Sequence, residues 1–223
     1  MTHQAVLFDL DGTLLDTIED LADSMNAALG ALGFATRTVA QCKQFVGDGI
    51  VQYALRALPE GGRDDGTVER CIELMRGEYS QRWRAKTRPY EGIAELLDGL
   101  TQRGVAMSVL SNKPDDFTRL MVREMLGDWR FEAVRGVRAD GVKKPDPAGA
   151  IEIARQLGIE PAAFLYVGDT NTDMKTGIAA GMHAVGCTWG FRDAEELLAH
   201  GAQVLIDRPT ELLGVLEGRG SNR

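Results

Sequence analysis

The feature that most limits the fold is an alternation of short, continuous apolar runs with stretches of helical periodicity. Runs at 5–8, 105–110, 164–167, 184–187 and 204–206 are bounded by glycine or charged residues. They are too short for lone helices and carry no polar alternation, so they read as strands buried on both faces. Helical patterns lie near 92–103, 114–126, 147–157, 171–181 and 193–199. Strand–helix–strand alternation predicts a parallel sheet with right-handed crossovers, which is a Rossmann-like α/β core with helices on both faces.

From about 17 to 86 the alternation stops. Ile18, Leu21, Ala22, Met25, Ala28, Leu29 and Leu32 recur at helical spacing, with Glu19 and Asp20 in the first turn, where the helix dipole favours them. A second helix is expected after Val39, a third after Gly49 and a fourth over about 68–84, with 59–66 a loop by composition. The alternating pattern resumes after Arg88-Pro89. The expected organisation is therefore a core of 1–15 and 87–223 with an all-helical cap inserted at 16–86. Residues 218–223 read as a frayed tail.

Composition narrows the function classes. The 223 residues are 44% hydrophobic and 26% charged, the pattern of a soluble globular protein. Acidic residues outnumber basic ones 33 to 25, for a formal charge of -8. Both the nucleic-acid backbone and an anionic membrane surface attract basic proteins, so neither is expected as a partner. Cys42, Cys71 and Cys187 are odd in number and widely spaced, as expected of small buried side chains in a reducing compartment. His3, His183 and His200 show no zinc spacing. With no signal-peptide pattern and no stretch of membrane-spanning length, the expected location is cytoplasmic.

Chemistry is expected where the strands end, because open α/β sheets bind ligands beyond the carboxyl ends of their strands. The first run ends in Asp9-Leu10-Asp11-Gly12-Thr13, the second in Ser111-Asn112-Lys113, and the third in Gly168-Asp169-Thr170-Asn171-Thr172-Asp173. Lys144-Pro145-Asp146-Pro147 precedes another helix and is expected on the same side. Asp9, Asp11, Asp169 and Asp173 gathered in one place would repel one another. A hard divalent cation relieves this, oxygen-only ligands favour Mg²⁺, and Lys144 adds one positive charge. Such a set suits phosphoryl transfer, where a protein mainly positions groups and neutralises charge.

Blander readings compete at several of these positions. Asp9-x-Asp11-Gly12 could open a calcium loop, but its glycine falls too early for an EF-hand and a strand precedes it. Thr170-x-x-Asp173 fits a helix capping box. Ser111-Asn112 could cap the helix that follows, and Asp146-Pro147 could start the next at N-cap and N1. Gly47-Asp48-Gly49 is no dinucleotide fingerprint, since Gln52 occupies the third glycine position. Arg82, Arg84, Lys86 and Arg88 read as a solvated face, with an anion-landing site as the rival.

In order and spacing these motifs resemble the haloacid dehalogenase superfamily, in its phosphatase branch with a helical cap. Asp9-Leu10-Asp11-Gly12-Thr13 is similar to the first motif, Ser111 to the second, Lys144 to the third, and Gly168-Asp169 with Asp173 to the fourth. Within the superfamily, 111–114, 144–147 and Thr188-Trp189-Gly190 look most like phosphoglycolate phosphatases. The resemblance implies hydrolysis of a small phosphorylated metabolite by a monomer or homodimer. Asp9 would be the nucleophile and Asp11 the acid and base. Ser111, with backbone N–H groups near Leu10 and Asn112, would hold the phosphoryl oxygens. Lys144 would pair with Asp9 and the phosphate, and Thr13 would stand beside the nucleophile. Asp9, Asp169 and the Asp11 carbonyl would hold Mg²⁺, with Asp173 orienting its ligands. A sugar-phosphate mutase, a pyrophosphatase, an amino-sugar phosphate phosphatase and an inert binding protein of the same fold are the rivals. Selectivity is expected from the cap, with Gly47, Asp48 and Gly49 as the candidate reader, because two glycines permit close backbone approach.

Overall fold

The structure is a computed structural model that describes residues 3–138 and 141–218. Residues 219–223 of the expected tail lie outside the described residues. The chain divides into two compact units, one of Met1–Leu15 with Pro89–Arg223 and one of Asp16–Arg88.

The first unit is built on a six-stranded sheet ordered β5-β4-β1-β6-β7-β8. The strands are β1 (Ala5–Phe8), β4 (Ala106–Pro114), β5 (Ala133–Val137), β6 (Phe164–Gly168), β7 (His183–Cys187) and β8 (Val204–Ile206). Every pairing among them is parallel. The helices of this unit are α5 (Ile93–Gln102), α6 (Asp115–Met125), α7 (Ala148–Leu157), α8 (Asn171–Ala179), α9 (Ala194–Ala199) and α10 (Leu212–Leu216). They cover both faces of the sheet, so the continuous apolar runs have a physical cause. Ala5 and Leu7 pack with Phe164, Tyr166, Ala150, Ile153 and Ala154 on one face, while Val6 and Phe8 are equally buried on the other. A short pair, β2 (Leu15–Asp16) with β3 (Arg88–Pro89), forms a separate two-stranded sheet.

Two elements depart from the sequence expectation. The strand expected at 105–110 runs on to Pro114, because Ser111, Asn112 and Lys113 are buried within it. The edge strand β5 was not expected, since Arg135 and Gly136 interrupt its apolar residues. Arg135 is held at the sheet edge by Glu152 and by Gln156 at 2.9 Å.

The second unit is helical, with α1 (Ile18–Ala31), α2 (Val39–Phe45), α3 (Ile50–Ala57) and α4 (Asp65–Arg82). Thr38 and Gln41 form a reciprocal capping box on α2. Asp64 caps α4 by accepting from Thr67 N at 3.0 Å, which starts that helix a turn earlier than periodicity suggests. The apolar stripe of α1 packs along α4, with Met25 Sδ 3.8 Å from Cys71 Sγ. Asp20 does more than complement the dipole of α1. Only 1% exposed, it accepts from Lys86 N at 3.0 Å, Thr87 N at 2.9 Å and Thr87 Oγ1 at 2.8 Å. The far end of the insert is thereby tied to its first helix. Asp20→Ala leaves these donors without an acceptor and should lower the unfolding free energy by about 1–3 kcal/mol. Urea unfolding checks this, and a change within measurement error would show that the anchor contributes nothing.

Candidate active site

The site grows from the carboxyl end of β1. Phe8 pairs with Val109 on β4 and with Val167 on β6, so Asp9, Ser111 and Asp169 leave the sheet at one edge. Asp9 N donates to Val167 O at 2.9 Å and carries the strand to its last residue. Chain order reverses between β1 and β6, and at such a switch point the connections diverge and open a crevice.

The next turn is tight. Gly12 N donates to Leu15 O at 2.9 Å, and Leu14 N and Leu15 N both donate to Leu10 O. Gly12 has a φ of 91°, and a Cβ there would lie 2.2 Å from Asp169 Oδ2. Gly190, in the loop after β7, is equally constrained, since its Cβ would fall 2.5 Å from both Asp169 Oδ2 and Gly12 O. Two backbone segments thus close on one carboxylate. Asp169 accepts from Thr13 Oγ1 at 2.9 Å and from Phe191 N at 2.7 Å. Trp189 Nε1 donates to Thr13 O at 3.0 Å and braces the same turn.

Lys144 stands at the centre. Its Nζ donates to Asp9 Oδ1 and to Asp173 Oδ1, both at 2.7 Å, with only 4% of the residue exposed. Asn112 fixes the Lys144 backbone in both directions, donating to its carbonyl at 3.0 Å and accepting from its N–H at 2.8 Å. Asp173 fills the capping role considered for it and also meets Lys144. One oxygen meets Lys144, and the other accepts from Thr170 N at 3.0 Å and Thr170 Oγ1 at 2.6 Å, closing the capping box of α8. Oxygens of Asp9, Asp169 and Asp173 lie within 4.8 Å of one another, all buried.

The remaining expected residues fall as follows. Ser111 is 3% exposed, and its Oγ accepts from Lys113 N at 3.2 Å. Ser111-Asn112 does not cap α6, because β4 continues through it and Pro114 takes the N-cap position. Pro147, not Asp146, is the N-cap of α7, and Asp146 Oδ1 accepts from Ala148 N at 2.8 Å. Gly47, Asp48 and Gly49 belong to the helical unit, where Gly47 and Gly49 have φ of 126° and 88°. The Asp48 carboxylate is held by Arg56, whose Nη1 also donates to Phe45 O at 3.0 Å. Lys86 and Arg88 of the basic run are exposed and paired with Glu19, Asp23 and Asp16. All three cysteines are buried and free.

Two features escaped sequence reasoning. Lys113 donates through Nζ to Asp11 Oδ1 at 2.7 Å, an ion pair with side-chain exposures of 6% and 12%. Its place at a strand end beside Ser111 was the available signal. The Phe191 N–H on Asp169 is a backbone contact, which no side-chain pattern announces.

The charges define what the site can hold. Burial, reinforced by Asp173 and Asp169 and only partly offset by Lys144, pushes Asp9 well above the usual carboxylate range. Burial and then the Asp173 charge raise Asp169 to about 7, against the donors on Thr13 and Phe191. Burial opposes the Lys144 charge, but Asp173 and Asp9 outweigh it and hold the ammonium well above the usual lysine range. Burial is the largest cause of the two carboxyl shifts, and the neighbouring carboxylates add to it, so a further cation that compensates both is favoured. The donors are all oxygens on converging, braced carboxylates, so they fit a hard divalent cation such as Mg²⁺.

A parallel sheet with this carboxylate–lysine cluster at its switch point defines a class. Residues 6–187 match the family model of haloacid dehalogenase-like hydrolases, and the chain belongs to that family. Within it, the chain stands with the phosphatases. Phosphoglycolate phosphatase 1 of Pseudomonas aeruginosa is 30% identical over 93% of this chain and 78% of its own length. Phosphoglycolate phosphatase of Pseudomonas putida is 32% identical over the same shares. The crystal structure of a proposed phosphoglycolate phosphatase from Lactobacillus delbrueckii subsp. bulgaricus superposes with a TM-score of 0.89 at 30% identity, covering 97% of this chain and 99% of that one. A haloacid dehalogenase-like hydrolase from Streptococcus pneumoniae, at 19% identity and a TM-score of 0.86, shares the fold.

The raised carboxyls set a pH dependence. A carboxyl held above its unfolded value stabilises the fold while protonated, and that contribution is lost as pH rises through the folded pKa. In chelator, the melting temperature should therefore fall as pH rises from about 4 to about 7, through the Asp169 value of about 7. Above that range Asp169 no longer holds a competing proton, so Mg²⁺ should raise the melting temperature more at alkaline than at acid pH. Thermal denaturation with and without Mg²⁺ tests this, and equal shifts at both pH values would contradict it.

Proposed function

We propose that the chain hydrolyses a small phosphate monoester of the phosphoglycolate type with Mg²⁺, through a phosphorylated Asp9. The observation that carries this reading is Lys144, which bridges Asp9 and Asp173 at 2.7 Å each beside Asp169, while Asp11 stands apart on its own lysine. This arrangement supports a reading in which one carboxylate within the charge-neutralising cluster serves as nucleophile and a second, outside it, serves proton transfer. The names of the Pseudomonas relatives support the substrate type.

In this mechanism an Asp9 oxygen attacks phosphorus, and the bond from phosphorus to the ester oxygen breaks. Asp11 gives its proton to the departing oxygen, then takes one from the water that attacks the aspartyl-phosphate. Phosphate leaves and the Asp9 carboxylate is restored. Lys144 and Ser111 bind phosphoryl oxygens, and Thr13 and Phe191 keep Asp169 in place. Asp9, Asp169 and the Asp11 carbonyl would hold Mg²⁺, with Asp173 beside them, and the ion would supply positive charge to the phosphoryl oxygens. The turn at Gly47, Asp48 and Gly49 belongs to this reading as a selector of substrate.

Asp9→Asn should abolish turnover of both phosphoglycolate and para-nitrophenyl phosphate while the protein stays folded by circular dichroism. Turnover retained after deamidation has been excluded by mass spectrometry would sink the covalent route. Asp11→Asn should slow hydrolysis by roughly 10²–10⁴-fold. In single-turnover phosphorylation the aryl ester should suffer less, because its leaving group needs little protonation. Equal slowing of aryl and alkyl esters would remove Asp11 from proton transfer.

A further inference from the structure

Lys113 enters the reading above only as the partner of Asp11, yet its backbone is tightly held. It sits near the end of β4, where the register with β5 shifts between Leu110 and Pro114. Its N–H donates to Ser111 Oγ at 3.2 Å, and its carbonyl accepts from Thr118 Oγ1 at 3.2 Å. A Cβ on Gly136 would come within 2.4 Å of the Lys113 carbonyl oxygen, so β5 packs closely against it. These contacts fix the backbone and send the ammonium to Asp11 Oδ1 at 2.7 Å.

The placement divides the site's two lysines. Lys144 serves Asp9 and Asp173, on the side where phosphorus is attacked. Lys113 serves Asp11, on the side where the ester oxygen departs. A group within hydrogen-bond reach of Asp11 lies about two hydrogen bonds, or roughly 6 Å, from that oxygen. In a phosphorylated hydroxy acid of the glycolate type, the carboxylate is one carbon from the ester oxygen and falls within that span. Once Asp11 carries the proton it is to donate, Lys113 loses its counter-charge; a nearly buried ammonium is then costly beside a neutral leaving group such as a sugar, and it repels an amino sugar. Beside a carboxylate it is stabilised by a charge-assisted hydrogen bond.

We propose that Lys113 is a specificity-determining residue that binds the carboxylate of the leaving group, selecting phosphate esters of short hydroxy acids. This rests on the phosphatase reading and goes beyond it by naming the reader of the non-phosphate end. The test compares phosphoglycolate with hydroxyethyl phosphate, its neutral counterpart, using para-nitrophenyl phosphate as reference. The wild type should favour phosphoglycolate at least about tenfold in kcat/KM, chiefly through KM, as one charge-assisted hydrogen bond provides. Lys113→Met slows both alkyl esters by disturbing Asp11, but it should also reduce the phosphoglycolate preference about tenfold or more. Lys113→Arg should restore part of that preference. An unchanged preference in Lys113→Met would reduce Lys113 to a support for Asp11 and overturn the inference. So would a wild type that cleaves the aryl ester without favouring phosphoglycolate, and this arm needs no variant to fold. A wild type inactive on all three esters would instead overturn the phosphatase reading.

Discussion

Three carboxylates buried beyond one edge of a parallel sheet persist only if positive charge reaches them. Here Lys144 supplies it directly, shared between Asp9 and Asp173, and one ammonium is not enough for three acids. Asp9 and Asp169 are displaced upward first by burial and then by their neighbouring carboxylates, which Lys144 offsets only in part. This deficit of positive charge favours a further cation at this edge, and a cation there would help to hold phosphoryl oxygens. Structure and proposed chemistry therefore share one cause, the concentration of acid at the switch point.

The fold pays for this arrangement with backbone precision. β1 is buried on both faces and flanked by β4 and β6, so Asp9 cannot move without moving the sheet. Asp169 is confined by Gly12 and Gly190, where no side chain would fit, and its oxygens are oriented by Thr13 and Phe191. Asn112 holds the Lys144 backbone through paired hydrogen bonds, which aims a long, flexible side chain from outside the sheet. Such preorganisation removes reorganisation from the reaction itself. The helical unit uses a similar device for a structural end, where Asp20 gathers the donors of Lys86 and Thr87.

Much of this was legible in the sequence. The strand at Ala5–Phe8 is read directly from its apolar run, because burial on both faces leaves no room for polar residues. The positions expected to carry chemistry stand out for the opposite reason. Asp9, Asp169 and Asp173 are acids at the ends of apolar strands, where only a ligand or a counter-charge makes them tolerable. Their convergence follows from the parallel order, since all the strands present their carboxyl ends at one edge.

What tertiary structure alone decided involves contacts between segments that periodicity does not connect. Edge strand β5 was hidden because an edge is paired on one side only and tolerates Arg135 and Gly136. Ser111, Asn112 and Lys113 look like a loop in sequence, yet they continue a buried strand, since each finds a partner more than a turn away or in its own bulge. The partner of Lys113 is Asp11, far away in the chain, and that of Asp169 is a backbone N–H on the loop after β7. Composition and spacing thus determined which residues had to be buried and which carried charge. Only the folded chain decided which charge met which, because ion pairing depends on distance in space and not on separation in sequence.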